Sequence, residues 1–525
     1  MPSLSSFIQR DKLFLYGFCL AFGGLVLLCT QLVDEAFLTL RVVDNAIQGY
    51  GLRWNTDERV QVYDHPLWLL LNIVAGFVLQ SPLFANMVLS FSLLTAALWV
   101  ASTFVSAGER QKIFFLLLPL LMCRSFREGA ASGLEAPLSL LLLALFVRES
   151  FREAAVIRLF ALAVLMFFTR PELLLLAVPV LAHRAWQQRG TLPLARLGLL
   201  LLPVLAWYVF CVFYYGFLLP NASYLTMGVT DDNGGYWQSG LGWLLDFTTY
   251  DPWGVLLLLA VASAVVFASY RSGLAEYFQV SAVQRFQLEL LLSGMALYMV
   301  WVMAGGGDHV RGSLMLNLVF ISACLLLLWL RHVPLPRPGW ILLGVGVLYA
   351  GSYAASYFWI DDTAHQKERY WLGDAMQWSQ RYKLAQAPAE GEPNLLVLRE
   401  HVGFSAYQAG PDVTIINPAA YTDPFIGRVT LTHHRYWNEG EASRSLPEGY
   451  LQARATGDIT HMPSALQLYY KPLRILVSAP LFSQERLLVL LGFQLWWYED
   501  ARHEATYYYG SRPEWDVMLR PVSGW

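Results

Sequence analysis

Long apolar runs alternate with short polar breaks through the first two-thirds of the chain, and then the pattern changes. Runs at or near the ~17–25 residues that cross a bilayer as a helix occupy 13–33, 83–107, 197–219, 253–270, 286–304, 314–331 and 339–359. Shorter apolar stretches at 66–80, 136–147, 159–170 and 172–182 would cross with tilt or with help from flanking residues. In segment 108–135 the apolar part, Ile113 to Cys123, is too short to span, so a re-entrant or in-plane helix is expected there. After Asp361 the long runs stop. NLLVL at 394–398, VTII at 413–416 and RILVSAP at 474–480 read as buried strands, with a helix at 484–492. The pattern predicts a polytopic α-helical membrane protein of about 11 spans over residues 1–360. A C-terminal extracytoplasmic α/β domain of about 165 residues is expected over 361–525.

Charge sets the orientation. Arg10 and Lys12 precede the first run, and further basic breaks hold Arg148, Arg152 and Arg158, then Arg184, Arg189 and Arg196, then Arg271 and Arg285, then Arg331 and Arg337. With those breaks on the cytoplasmic side, residues 34–65 form the first outer loop, and the C-terminal region lies on the same side. The expected location is the cytoplasmic (inner) membrane, crossed many times, with loop and tail facing the periplasm or cell exterior. The first run is too long for a signal-peptide core and is expected to be a retained span. Of 525 residues 56% are hydrophobic and 14% charged, which places the lipid bilayer among the partners. The net charge of -3, without a basic tract, argues against nucleic acid as a partner. All five cysteines lie in apolar runs, which argues against a disulfide framework and a Cys-based zinc site.

Against this background the polar residues at the outer ends stand out. Asp34 and Glu35 follow the first run directly, and Arg41, Asp44, Tyr63, Asp64 and His65 come before the next. Arg124, Arg127, Glu128 and Glu135 belong to the second outer loop, and Arg170 and Glu172 to a TRPE turn. Asn221 and Ser223 lie in LLPNASY, and Asp308, His309 and Arg311 in GGGDHVRG. Ionisable groups at a membrane edge are costly to desolvate and mark functional sites by default. The collection suits transfer of a sugar from a polyprenyl phosphate: a carboxylate takes the acceptor's proton, and guanidinium groups hold the phosphate by planar, bidentate hydrogen bonds. Asp34 is the candidate base, with Arg41, Arg124, Arg170 and Arg311 as candidate phosphate ligands. No cofactor beyond the donor is required on this reading, and a role for a divalent metal stays open. Ordinary readings stand beside these. Asp34 and Glu35 terminate a span, Arg41 and Asp44 form a helical ion pair, His65 holds a turn, Glu135 caps the helix after it, and Asn221 and Ser223 turn the chain after Pro220. His433, His434 and Arg435 lack the neighbouring carboxylates that a metal site would add.

DEAFLTLRVVDNAIQGYGLRWNTDERVQVYDHPLW, followed in order by SGLEAPL, TRPE, LLPNASY and GGGDHVRG, resembles the polytopic C-type glycosyltransferases (GT-C) that use polyprenyl-phosphate sugars. The tail segments VGFSAYQAGPDVTIINPAAYTDPFIGR, HHR and PEGYL extend the likeness over most of the chain. The branch it resembles includes the mycobacterial terminal arabinofuranosyltransferase and the type IV pilin arabinofuranosyltransferase. The resemblance implies transfer of D-arabinofuranose from a polyprenyl-phosphate-linked donor to a glycan or protein acceptor, with Asp34 as the catalytic carboxylate and Glu35 beside it. From the polar cluster itself, donor phosphate and sugar contacts are expected among Arg41, Asp44, Tyr63, Asp64, His65, Glu135, Arg170, Asn221, Asp308, His309 and Arg311. Three positions depart from the family pattern: Asp-Glu replaces the common Asp-Asp, Tyr63-Asp64-His65 adds a charge before Pro-Leu-Trp, and Asn417 stands where an aspartate is usual. Mannose or an aminopentose is the alternative sugar, and a lipid or sugar transporter the alternative class.

Overall fold

The structure is a computed structural model that describes residues 31–105, 112–130, 132–152, 156–227, 229–230, 235–270, 281–307, 312–330, 369–371, 395–397, 402–418, 420–429, 432–433 and 446–510. The expected run at 339–359, nearly all of that at 13–33, and Asp308, His309, Arg311, His434 and Arg435 lie outside these residues. The described chain is mostly helical.

Apolar runs become helices where the sequence places them. Pro82–Ser102, Leu194–Tyr215 and Ala282–Ala304 are long and apolar enough to cross a membrane. Local signals set their ends: Ser81 accepts from the Phe84 amide ahead of the first, and Ser281 and Gln284 form a capping box ahead of the third. The second stops at Gly216, whose φ of +85° suits a residue without Cβ. Shorter helices fill Pro66–Leu79, Ala136–Ser150, Val156–Thr169, Leu173–Gln187 and Ser313–Leu330. A helix at Gly235–Tyr250, absent from the expected spans, leads into Pro252–Tyr270, and the pair bends by 105° around the break at Asp251. Between 108 and 135 two short helices, Phe114–Met122 and Arg124–Gly129, stand in place of a span. The first, at ~1.5 Å per residue, covers less than half of a bilayer core. Side chains of Pro82–Ser102, Ala136–Ser150, Leu173–Gln187, Ala282–Ala304 and Ser313–Leu330 share one apolar core.

The tail meets the chain around Asp34 directly. Gln31–Val33 pairs antiparallel with Arg369–Trp371. The strands expected from NLLVL and VTII form at Leu395–Val397 and Thr414–Ile416 and run parallel, and the helix Val402–Ala409 lies in the connection between them. The strand expected at 474–480 does not form: those residues end the helix Ser464–Ser478. Leu466, Tyr469, Tyr470, Leu473, Leu476 and Val477 are buried at helical spacing, a period that shows only over a window longer than the seven-residue apolar segment. The helix expected at 484–492 forms as Gln484–Gln494. Helix dominates the described tail, and its strands occur only as two-stranded pairs.

Two buried arginines tie the tail to the rest of the chain through carbonyl oxygens. Arg486 donates to Leu476 at 2.9 Å, and to Phe213 and Tyr214 at the end of Leu194–Tyr215. Arg59, in the loop before Pro66–Leu79, donates to Leu476 and Ala479. Helix-end carbonyls lack partners within their own helix, so each guanidinium satisfies groups that burial would otherwise leave unpaired.

Candidate functional site

The helix Asp34–Ile47 begins with both carboxylates in its first turn, where negative charge is favoured. Its period then separates them. Asp34, Phe37 and Arg41 fall on one face, whereas Glu35 and Thr39, four residues apart, share another.

The first face holds the tail. Asp34 Oδ2 accepts from the Gly403 amide at 2.7 Å and Oδ1 from the Phe404 amide at 2.9 Å, so one carboxylate caps the helix Val402–Ala409. A Cβ at position 403 would come within 1.9 Å of the Asp34 carbonyl oxygen, which accounts for the glycine. Phe37 packs edge-on against Phe404 at 5.0 Å. Arg41 is fully buried and donates to the carbonyls of Trp54, Ala406 and Val413. Asp44, also buried, adds its charge to the surroundings of Arg41.

The second face opens on a chain of charges. Thr39 Oγ1 meets His65 Nε2 at 2.8 Å. His65 Nδ1 lies 2.7 Å from Asp64 and 3.2 Å from Glu135. Glu135 pairs through its other oxygen with Arg170 Nε, and Arg170 Nη1 reaches Glu172 at 3.0 Å. Burial by itself would lower the His65 pKa, but the charges of Glu135 and Asp64 more than offset it and hold the imidazole above its ordinary value. Glu135 occupies the N-cap position of Ala136–Ser150, yet its side chain makes no cap hydrogen bond and turns into this chain. The Asp64 side chain is 56% exposed, so the chain opens to solvent at that end.

A second polar cluster lies on the short helix Arg124–Gly129. Arg124 pairs with Glu128 at 2.5 Å and lies over the Tyr250 ring, and the Tyr250 hydroxyl donates to Glu128 at 2.9 Å. Asp251, at the bend between the two helices, accepts from the Ser125 amide and hydroxyl and from the Gly254 amide. Gly312, directly after Arg311, rests on Ser125 and Tyr250 with φ +80°; a Cβ there would lie 2.9 Å from the tyrosine ring.

The remaining expected residues sit elsewhere. The Tyr63 hydroxyl meets that of Tyr215 at 2.8 Å, on the side of Leu194–Tyr215. Asn221 is buried; its amide donates to the carbonyls of Ala420, Tyr421 and Asp423, and its oxygen accepts from Arg428 at 2.6 Å. The structure thus brings Asp64, His65, Glu135 and Arg170 into one chain with Glu172. Asp34 and Arg41 bind the tail from the helix Asp34–Ile47, and Asn221 binds it from the short helix Asn221–Met227 that follows Leu194–Tyr215. Among the described residues no group of three or more His, Cys, Asp or Glu is placed to hold a metal ion.

Sequence reasoning overlooked Thr39 and the buried set around Arg454. That guanidinium meets Glu58 at 3.0 Å and Asp57 at 3.2 Å, and Asp423 nearby accepts from the Tyr450 hydroxyl. Thr39 was findable from its place four residues after Glu35; Arg454 carried no local signal. Asp251 had one, an acid between two apolar runs.

Burial, opposed by the Arg454 charge, pushes the Glu58 carboxyl up to about 7. The folded chain therefore holds a proton there that the unfolded chain releases at the ordinary value of 4.5. The resulting stability is fully present below about 4.5 and is lost as pH rises through about 7. Thermal unfolding of the purified chain between pH 4.5 and 8 should show this decline, and Glu58→Gln should make it shallower, the remainder coming from His65, whose raised pKa acts in the same direction.

Comparison with protein-family models, with curated proteins and with solved structures finds no match to this chain.

Proposed function

We propose that the chain is a membrane-embedded glycosyltransferase that moves a sugar, D-arabinofuranose first among candidates, from a polyprenyl phosphate to a glycan or protein acceptor such as pilin, on the extracytoplasmic side. The observation that carries the reading is the charge chain Asp64, His65, Glu135, Arg170 and Glu172, largely buried apart from the exposed Asp64, drawn from three separate loops onto the Glu35 and Thr39 face of the helix Asp34–Ile47. Three carboxylates against two cationic groups make a poor phosphate site and a good acceptor of hydroxyl hydrogen bonds, so the sugar belongs there. The phosphate belongs with Arg124 and Arg127 on the short helix Arg124–Gly129, with Arg311 as a further candidate because the next residue, Gly312, rests on Ser125. The acceptor hydroxyl attacks the anomeric carbon, the bond from that carbon to the phosphate oxygen breaks, and polyprenyl phosphate leaves with the electron pair. The acceptor's proton passes to a carboxylate. Asp34, the base implied by family resemblance, has both oxygens engaged by tail amides. Glu35 faces the charge chain by helical period, so the base role passes to Glu35, and Asp34 positions the tail.

The test is transfer by the full chain in nanodiscs, offered polyprenyl-phosphate arabinofuranose, mannose or aminopentose with an oligosaccharide and a pilin peptide as acceptors. Glycosylated product from the arabinofuranose donor supports the proposal. Product from mannose or aminopentose alone reassigns the sugar, and product from none of the three overturns the reaction. A lipid or sugar transporter is the second reading, favoured by the 105° break at Asp251. It requires flux of labelled lipid-linked sugar across vesicles without product, although Asp251 already accepts three hydrogen bonds from the protein.

A further inference from the structure

The helix Gln484–Gln494 was expected inside a soluble domain, yet it presents an apolar face to its surroundings. Leu487, Leu488, Leu491 and Leu495 are exposed and fall within an arc of about 100°. Arg486, Val489 and Gly492 fill the opposite, buried side. Directly after the helix come Trp496 and Trp497, 74% and 62% exposed. Trp496 has φ +65°, a conformation costly for a bulky residue, and this turn leaves both indoles facing outward. Trp497 also packs on Gly492, where a Cβ would meet its ring at 3.1 Å.

What covers this face follows from its position. Leu194–Tyr215 crosses with only 6% of its apolar window buried, and Leu199, Leu201, Leu202, Leu205 and Val209 stand exposed along it. Such a flank faces lipid chains. At the Tyr215 end Phe482 packs on Phe213 at 5.6 Å, Arg486 is bound to the Phe213 and Tyr214 carbonyls, and Gln494 donates to the Gly216 carbonyl at 3.0 Å. The apolar flank of the span therefore continues through Phe482 onto the leucines and tryptophans of the tail.

We infer that Gln484–Gln494 with Trp496 and Trp497 lies in the interfacial layer of the leaflet that receives the Tyr215 end, as an in-plane membrane anchor for the tail. Leucines reach the acyl boundary and the indoles sit at headgroup level, the position tryptophan favours. The anchor fixes the height of the tail above the bilayer, and so where the capping contact to Asp34 is made. This inference rests on membrane insertion of Leu194–Tyr215 and is independent of the reaction proposed above.

The test places a nitroxide at Leu488→Cys, Leu491→Cys or Trp497→Cys in the full chain, one copy per nanodisc, with Glu485→Cys as the polar control on the same helix. Labelling of the unsubstituted chain sets the background from native cysteines. Collision rates with oxygen, which concentrates in lipid, and with a water-soluble nickel chelate are then compared. The inference expects an oxygen-to-nickel ratio severalfold higher at 488, 491 and 497 than at 485. A ratio equal to that of the control would put the face in water and overturn it. Low access to both reagents would also overturn it, because protein would then cover the face. Three separate substitutions keep the test decisive if one of them fails to fold.

Discussion

Arg170→Met should destabilise the chain by about 3–5 kcal/mol, the scale on which a buried ion pair broken from one side exposes its uncompensated partner. Glu135 is 3% exposed and Glu172 10%, and both lean on this one guanidinium. Once it is gone, His65 is the cationic partner left to Glu135 among the described residues, while Glu172 loses its ion-pair partner in the chain. Arg170→Lys should recover part of the loss, because a single ammonium cannot reproduce a fork aimed at two carboxylates. Pairing Arg170→Met with Glu135→Gln should also recover part, since it removes one stranded charge. Arg152→Met, which breaks a pair to Glu149 from a half-exposed arginine, should change little. Apparent unfolding temperature in nanodiscs and resistance to proteolysis measure all four. Equal stability of Arg170→Met and the native chain would mean that the charge chain does not hold these three loops together.

The second large effect separates the adjacent carboxylates. Asp34→Asn replaces one of two acceptor oxygens with an amide that can only donate, so the Gly403 or Phe404 amide loses its partner, at a cost of about 1–3 kcal/mol. The expected result is a loosened tail, seen as faster proteolytic release of the segment that carries Val402–Ala409. Glu35→Gln leaves those amides satisfied and should leave the tail as resistant as in the native chain. On the proposed reading it removes the group that takes the acceptor's proton, a contribution typically of 10²–10⁴-fold in rate.

The helices were legible because a long apolar run has one inexpensive fold in a bilayer, and because Ser281, Ser81 and Gly216 mark ends by chemistry that acts within a turn. The site was legible in part. Glu135, Arg170 and His65 are ionisable groups at helix ends, and that alone flagged them. Their grouping depends on loops brought together by helix packing, which no local pattern encodes. Arg41 shows the limit most clearly: its carbonyl partner Ala406 lies 365 positions away, and a carbonyl has no sequence signature. Asn221 is similar, since its three acceptors are backbone oxygens of the tail. The strand expected at 474–480 is the end of the helix Ser464–Ser478, whose buried residues repeat at 3 and 4 over twelve positions, while the apolar segment that suggested a strand is only seven long. The division of labour between Asp34 and Glu35 needed the partner of each face, although the helical period had already placed them apart.

The rate of sugar transfer by Glu35→Gln, measured beside native chain and Asp34→Asn in the same nanodiscs with saturating polyprenyl-phosphate arabinofuranose, tests the account most directly. The account predicts a fall of about two or more orders of magnitude for Glu35→Gln with native resistance to proteolysis, and a smaller fall with a loosened tail for Asp34→Asn. Native transfer by Glu35→Gln, with activity lost only in Asp34→Asn, would contradict it.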